Sequence, residues 1–215
     1  MALVQRDAAA AFERASAFAL HGGGFAARHC AASALMRLRR YAEAAQRLDM
    51  LAQDVGRTRP VLGAEILAQA ATAWTAADQP ERAAGVIAAG LRLDPTNADL
   101  RFDRAFLYAE AKRWVEAADD LTAVLQRQPR RVDALVLRAS AYRQAGLEPL
   151  AEQDLASALS LEPGSVEALI ERARLHLGRG ARASARQDLA AAAGRDPSGP
   201  AGELARQLLE SLDVR

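Results

Sequence analysis

The chain has 215 residues, 51% hydrophobic, 26% charged and 5% aromatic, with a formal net charge of +1. Alanine supplies 53 of the 215 and isoleucine three. That bias favours closely packed helices, because alanine has the best helix propensity and the least bulk. A β-sandwich or parallel sheet would need far more Val, Ile and aromatic residues. The near-zero charge excludes a global electrostatic case for nucleic acid or an anionic membrane, and the length admits one or two domains.

Residues 2–20 read as a first helix, apolar along Phe12, Ala15 and Phe18 and ended by Gly22, Gly23 and Gly24. Three glycines make a helix stop and a flexible joint. They do not make a phosphate loop, since no Gly-Lys-Ser/Thr follows. Arg6, Asp7, Glu13 and Arg14 interrupt any signal-peptide apolar region, and no stretch approaches the roughly 20 apolar residues that cross a bilayer. No membrane insertion is therefore expected, and the location is cytoplasmic, or periplasmic if a leader has been removed. Cys30 is the single cysteine, so neither a disulfide framework nor a multi-cysteine metal site can form. His21, His29 and His176 show no metal-ligand spacing. His29 and Cys30 are neighbours on a helix and point apart, which argues against a joint catalytic role. No cofactor and no metal are expected. Lys112 is the only lysine, and the Arg and Ala excess reads as the codon bias of a GC-rich bacterium.

From residue 64 onward the sequence repeats itself. Pro95, Pro129, Pro163 and Pro197 are 34 residues apart. Ala71, Ala105, Ala139 and Ala173 follow the same period, as do Ala83, Ala117, Ala151 and Ala185, and Trp74, Tyr108, Tyr142 and His176. Such a period marks one supersecondary unit copied and stacked, each copy too small to bury its own apolar face. Within a unit the spacing is helical: Leu135, Ala139 and Tyr142 stand at i, i+4, i+7, and Ala151, Leu155 and Ala158 repeat that spacing on the next segment. Gly146 and Pro149 lie in the turn between them, and Pro163 stops the second helix.

On Ala139, Tyr142, Gly146, Ala151, Leu155, Ala158 and Pro163 and their equivalents, the pattern resembles the tetratricopeptide repeat. The family's early Trp is replaced by Leu67, Arg101, Leu135 and Leu169. The resemblance implies an all-α, right-handed superhelical α-solenoid of helix–turn–helix repeats, here a single domain over residues 1–215. Clear copies run over 64–97, 98–131, 132–165 and 166–199, with a degenerate copy over 25–58 joined by an irregular connector from Arg57 to Gly63. Residues 201–212 form a C-terminal capping helix, with Leu204, Leu208 and Leu212 inward.

Three copies carry Arg and Asp sixteen residues apart: Arg104 with Asp120, Arg138 with Asp154, Arg172 with Asp188. The same columns hold Ala70 and Val86 in one weaker copy, Ala31 and Arg47 in the other. A pair that comes and goes as a unit fits a buried salt bridge; the rival is a ladder of ligand-binding arginines. The resemblance further implies that first helices line a concave groove where partners bind. The columns there are Ala68, Phe102, Val136, Ile170; then Thr72, Phe106, Ser140, Arg174; then Thr75, Ala109, Arg143, Leu177. Phe102 and Phe106 share a helix face and read either as a protein-binding hot spot or as filling between adjacent helices. The expected site is thus Phe102, Phe106, Val136, Ser140, Arg143, Ile170 and Arg174, with Arg143 and Arg174 selecting a carboxylate or polar group. Glu65, Asp99, Asp133 and Glu167 form an acidic column, either a rail for a basic peptide or compensation of first-turn helix dipoles. The chain is expected to be a non-catalytic scaffold that binds a protein or peptide partner, with no nucleic acid. The alternatives are a homo-oligomer whose terminal helix docks in a neighbour's groove, and a small-ligand sensor. No nucleophile, base and orienting group can be assembled for an enzyme.

Overall fold

The computed structural model describes residues 2–213, and the regular structure among them is entirely helical. In chain order the helices are α1 (Ala2–Arg6), α2 (Ala8–Leu20), α3 (Gly24–Arg37), α4 (Tyr41–Gly56), α5 (Pro60–Ala76), α6 (Pro80–Leu93), α7 (Ala98–Glu110), α8 (Trp114–Arg127), α9 (Val132–Gln144), α10 (Glu148–Leu161), α11 (Val166–Gly178), α12 (Arg182–Arg195) and α13 (Pro200–Asp213). Two compact units are present, Met1–Arg104 and Ala105–Arg215.

In the first unit α1 and α2 pack on α3 around Val4, Ala11 and Ala34, with Phe12 against them. The single helix expected over 2–20 is broken at Asp7. Its backbone is extended (φ −147°, ψ 92°), and its carboxylate accepts a hydrogen bond from the Ala10 N–H at 3.0 Å. Aspartate is a strong N-cap, and a cap here overrides the surrounding alanine pattern. Phe18, expected on the packed face, is 60% exposed. Phe12 is half-buried under the guanidinium groups of Arg40 and Arg47, 5.2 and 5.1 Å from its ring centre, a cation–π arrangement.

The connector expected from Arg57 to Gly63 shrinks to Arg57–Arg59. Pro60 occupies the first turn of α5, where its missing N–H costs nothing. The extra residues of this copy instead lengthen α4 and α5 to 16 and 17 residues. Gly63 is consequently inside a helix and buried, and a Cβ on it would stand 2.7 Å from the Gly56 Cα. Glycine at position 63 lets the α5 backbone approach α4 more closely than a side chain there would permit.

In the second unit the hairpins α9–α10 and α11–α12 are followed by α13, which lies against α12 and α11. Ala139, Ala151, Ala158, Ala173, Ala185 and Ala192 are fully buried, with Leu155 and Leu189 between them. Any larger residue in those alanine columns would overpack the helix pair. Leu204, Leu208 and Leu212 turn inward as expected, with Ala205 also fully buried, while Glu203 and Glu210 face solvent.

One device closes each periodic hairpin. Asp78, Lys112, Gly146 and Gly180, each 34 residues from the next, all have left-handed backbones, with φ of 56°, 59°, 76° and 73°. After each, the next N–H reaches five residues back, as in Leu147 N–H to Tyr142 O at 2.8 Å and Ala181 N–H to His176 O at 2.9 Å. This is the Schellman helix ending. Nothing lies within 4 Å of a Cβ built on Gly146, so a substitution there tests backbone strain alone. Gly146→Ala should cost about 1 kcal/mol, read as a lower urea midpoint; an unchanged midpoint would mean that the turn relaxes without strain.

Candidate functional site

Buried charge is where the repeat pattern first becomes chemistry. Arg138 grips Asp154 with two hydrogen bonds, Nε to Oδ2 at 2.8 Å and Nη2 to Oδ1 at 2.7 Å, and donates a third from Nη1 to the Thr122 hydroxyl at 3.1 Å. Arg172 holds Asp188 in the same fork, at 2.8 and 2.6 Å, and His176 Nε2 lies 3.7 Å from the same carboxylate. Asp120, Asp154 and Asp188 are all buried. The hydrogen bonds to Asp154 and Asp188 are the largest influence on the two arginines and hold each above its usual pKa, against the opposing effect of burial. In one of the two copies that lack the pair, Ala70 and Val86 are buried instead. Arg138 and Arg172 are thus each engaged by a buried carboxylate, the arrangement that a structural salt bridge requires.

The inner-face columns fare unevenly. Phe106, on α7, is 45% exposed, and Phe102, one turn earlier, is half-buried. On α9, Val136, Ser140 and Arg143 are half-buried at i, i+4, i+7, so all three share a face. Ile170, expected in the apolar stripe of that face, is only 4% exposed. It belongs to the core formed with Ala173, Leu189, Ala205 and Leu212, because α13 covers the end of the array. Ala68 of the same column is buried too. The acidic column Glu65, Asp99, Asp133 and Glu167 is exposed throughout. Asp99, Asp133 and Glu167 stand in first turns, whereas Glu65 does not, since α5 begins earlier than expected.

Arg143 and Arg174 are not free. Both bind Glu171, a residue the sequence reading passed over. Arg143 Nε donates to Glu171 Oε1 at 2.6 Å and Arg174 Nη1 to Oε2 at 3.1 Å. The Glu171 side chain is 5% exposed, the two arginines 21% and 39%. A signal for this did exist. Columns 28 residues apart match in character: Thr75 with Asp103, Ala109 with Leu137, Arg143 with Glu171, Leu177 with Ala205.

A second concavity was also not foreseen. A cleft of about 640 Å³ opens among α2, α3 and α4, walled by Leu20, Ala31 and Met50 and edged by Arg28, Glu43 and Arg47. Ser16 lines it, and its hydroxyl is buried without a hydrogen-bond partner among the described residues. Arg28 is paired to Asp54 and Arg47 to Glu43. Among the described residues no group of His, Cys, Asp and Glu could hold a metal, and no helix is long and apolar enough to cross a membrane.

A profile of the tetratricopeptide repeat matches residues 71–142. No curated protein matches the chain. Among solved structures, YrrB, described as a tetratricopeptide-repeat protein with an unusual peptide-binding site, is similar at a TM-score of 0.65 and 15% identity. That match covers 92% of this chain and 98% of YrrB. A tetratricopeptide repeat protein from Parabacteroides merdae also reaches 0.65, at 19% identity, over 96% of this chain and 73% of its own. MamA from Desulfovibrio magneticus reaches 0.64 at 18% identity, over 79% and 93%.

Proposed function

The chain is a tetratricopeptide-repeat protein, and from that premise we propose that it is a non-catalytic scaffold receiving a peptide segment of a protein partner on the inner face of its first helices. The observation that carries the reading is Phe106: a large aromatic side chain left 45% exposed on a first helix, where the repeat pattern had other columns in which to bury it. Exposed aromatic anchors dominate the energetics of protein interfaces. Val136 and Ser140 on α9 supply half-buried apolar and hydroxyl surface beside the paired Arg143. The likeness to YrrB, whose description includes a peptide-binding site, supports the fold's capacity for such a role.

The experiment is a capture of bound proteins from an extract of the source cells. It compares wild type, Phe106→Ala and Val115→Ala, the last a 62% exposed residue on α8. A partner held by wild type and by Val115→Ala should be lost by Phe106→Ala, with a weakening of about 2 kcal/mol, roughly thirty-fold. Surface substitutions of this kind change stability by only about 0.5 kcal/mol, so a loss would report binding. Equal retention by all three overturns the inner-face reading.

A second reading, self-association through the N-terminal helices, has its own observation. Leu20 and Met50, which wall the 640 Å³ cleft, are 86% and 62% exposed, and exposed apolar patches commonly mark association sites. Sedimentation equilibrium tests it: a mass that stays monomeric at every concentration removes this reading.

A further inference from the structure

We infer that the cleft among α2, α3 and α4 binds a small amphiphilic anion, an aliphatic chain ending in a carboxylate. This site lies within the first unit and is separate from the inner-face peptide site proposed above. In the second unit Arg138 sits between a hydroxyl on the preceding helix and an aspartate on the following one. It donates to Thr122 on α8 and to Asp154 on α10, sixteen residues before and after it. In the N-terminal copy the corresponding column holds Ala31, with Ser16 fifteen residues before it on α2 and Arg47 sixteen after it on α4. The hydroxyl is kept, the long cation is cut back to a methyl group, and the aspartate has become an arginine. Ser16, Ala31 and Arg47 all line the 640 Å³ cleft. The Ser16 hydroxyl is buried with no hydrogen-bond partner among the described residues. Buried hydroxyls are nearly always hydrogen-bonded, so an orphan lining an open cleft marks a missing partner.

The sign of the missing group follows from the residue that replaced the aspartate. The charges lining the cleft are Arg28, Glu43 and Arg47. Glu43 has one oxygen engaged by Arg40 and the other by Arg47, so it is not open to an arriving cation. That cluster carries two positive charges for one negative. Arg47 gives Glu43 a single bond at 3.2 Å, and Arg28 gives Asp54 a single bond at 2.7 Å. Each guanidinium has five N–H donors, and the two side chains are 42% and 38% exposed. Most donors of both groups are therefore open to a carboxylate, their matched acceptor. Arg47 also rests over the Phe12 ring, 5.1 Å from its centre, and this restraint lowers the ordering cost of binding. Gln46, exposed at the same edge, adds an amide donor. The remaining wall is aliphatic, formed by Ala19, Leu20, Ala31 and Met50. Leu20 and Met50 are 86% and 62% exposed, apolar surface that an alkyl chain would cover, and methionine adapts its shape to such a guest. The volume falls within the range of small-molecule sites.

The test titrates sodium decanoate, kept below its micelle concentration, into the isotope-labelled full chain and reads backbone amide shifts. Decyltrimethylammonium is the cationic match, and acetate is the head without the chain. Decanoate should shift amides around Ser16, Ala31 and Arg47, and neither control should. From hexanoate through octanoate to decanoate, affinity should rise by up to about fourfold for each methylene buried. Arg47→Gln, which keeps a polar side chain without the charge, should weaken binding at least tenfold. The double variant Ala31→Arg/Arg47→Asp rebuilds the bridge of the second unit beside Ser16, fills the cleft and should abolish binding. Should that variant fail to fold, Met50→Asp takes its place. It sets a carboxylate against the bound one at a position 62% exposed, and binding should again be lost. The amide spectra report whether each variant is folded. No shift at millimolar decanoate, equal binding of decyltrimethylammonium, or unchanged affinity in folded Arg47→Gln overturns the site. Sedimentation equilibrium separates the competing occupant. A chain that dimerises over Leu20 and Met50 and gives no decanoate shift assigns the cleft to a second copy and overturns the inference as well.

Discussion

Asp154→Ala is expected to destabilise the second unit by about 3–5 kcal/mol, the range seen when one partner of a buried pair is removed. The Asp154 side chain is 6% exposed, and its partner Arg138 is 18% exposed. Without the carboxylate, the Arg138 guanidinium keeps only the Thr122 hydroxyl as an acceptor among the described residues. The loss should be local. In a repeat array, stability is approximately a sum of repeat and interface contributions, so hydrogen exchange of α9 and α10 should accelerate most. The chain also contains its own remedy. The equivalent columns two hairpins earlier hold Ala70 and Val86, buried at 0% and 8% exposure. The double variant Arg138→Ala/Asp154→Val copies that solution and should recover most of the loss, because replacing a whole buried pair by apolar groups is often neutral or stabilising. A double variant as unstable as Asp154→Ala would mean that the two sites are packed differently. Full stability of Asp154→Ala would return Arg138 to the list of ligand-binding candidates.

That pair was legible in the sequence for a physical reason. A bidentate bridge needs both partners, so the columns sixteen residues apart change together, and a period of 34 residues displays several solutions of one geometric problem in a single chain. The helix borders were legible likewise: the prolines fall between or at the starts of helices and Gly146 sits in its turn, whereas Asp78 and Lys112 adopt the same left-handed backbone with no glycine to announce it. What the period could not convey lies where the copies cease to be equivalent. Asp7 splits the N-terminal helix, because one capping carboxylate outweighs the alanines on either side of it. Gly63 stands in the expected connector, yet it marks a close helix crossing, which composition alone does not distinguish from a loop. Glu171 escaped notice because its column reads Gln69, Asp103, Leu137, Glu171, with no common character. Its meaning resides in the neighbouring copy, through Arg143. Column reasoning within a repeat finds what every copy does. A binding face is built from what individual copies do differently, and that requires knowing which side chains meet across the boundary between copies.

Ile170 makes that distinction measurable. By column it belongs with Phe102 and Val136 on the inner face, and if it served a partner there, Ile170→Ala would weaken capture and leave stability alone. The structure places it in the core under the last helix, 4% exposed, in the cluster that includes Leu169, Ala173, Leu189, Ala205 and Leu212. Truncation there removes buried methyl and methylene groups and leaves a cavity, so a cost of about 2–5 kcal/mol is expected. The cluster draws on α11, α12 and α13, and Arg182 also ties α12 to the Leu212 carbonyl at 2.6 Å, so the helices most affected should be α11 to α13. Val136→Ala, in the same column but half-buried, should cost less than half as much. Urea unfolding of the two variants side by side decides the matter. A large loss for Ile170 with a small one for Val136 means that the final helix has converted one groove position into core, and that the accessible inner face ends at Arg174. Comparable small losses would mean that α13 does not hold its place over Ile170, and the apolar stripe would then extend one copy further.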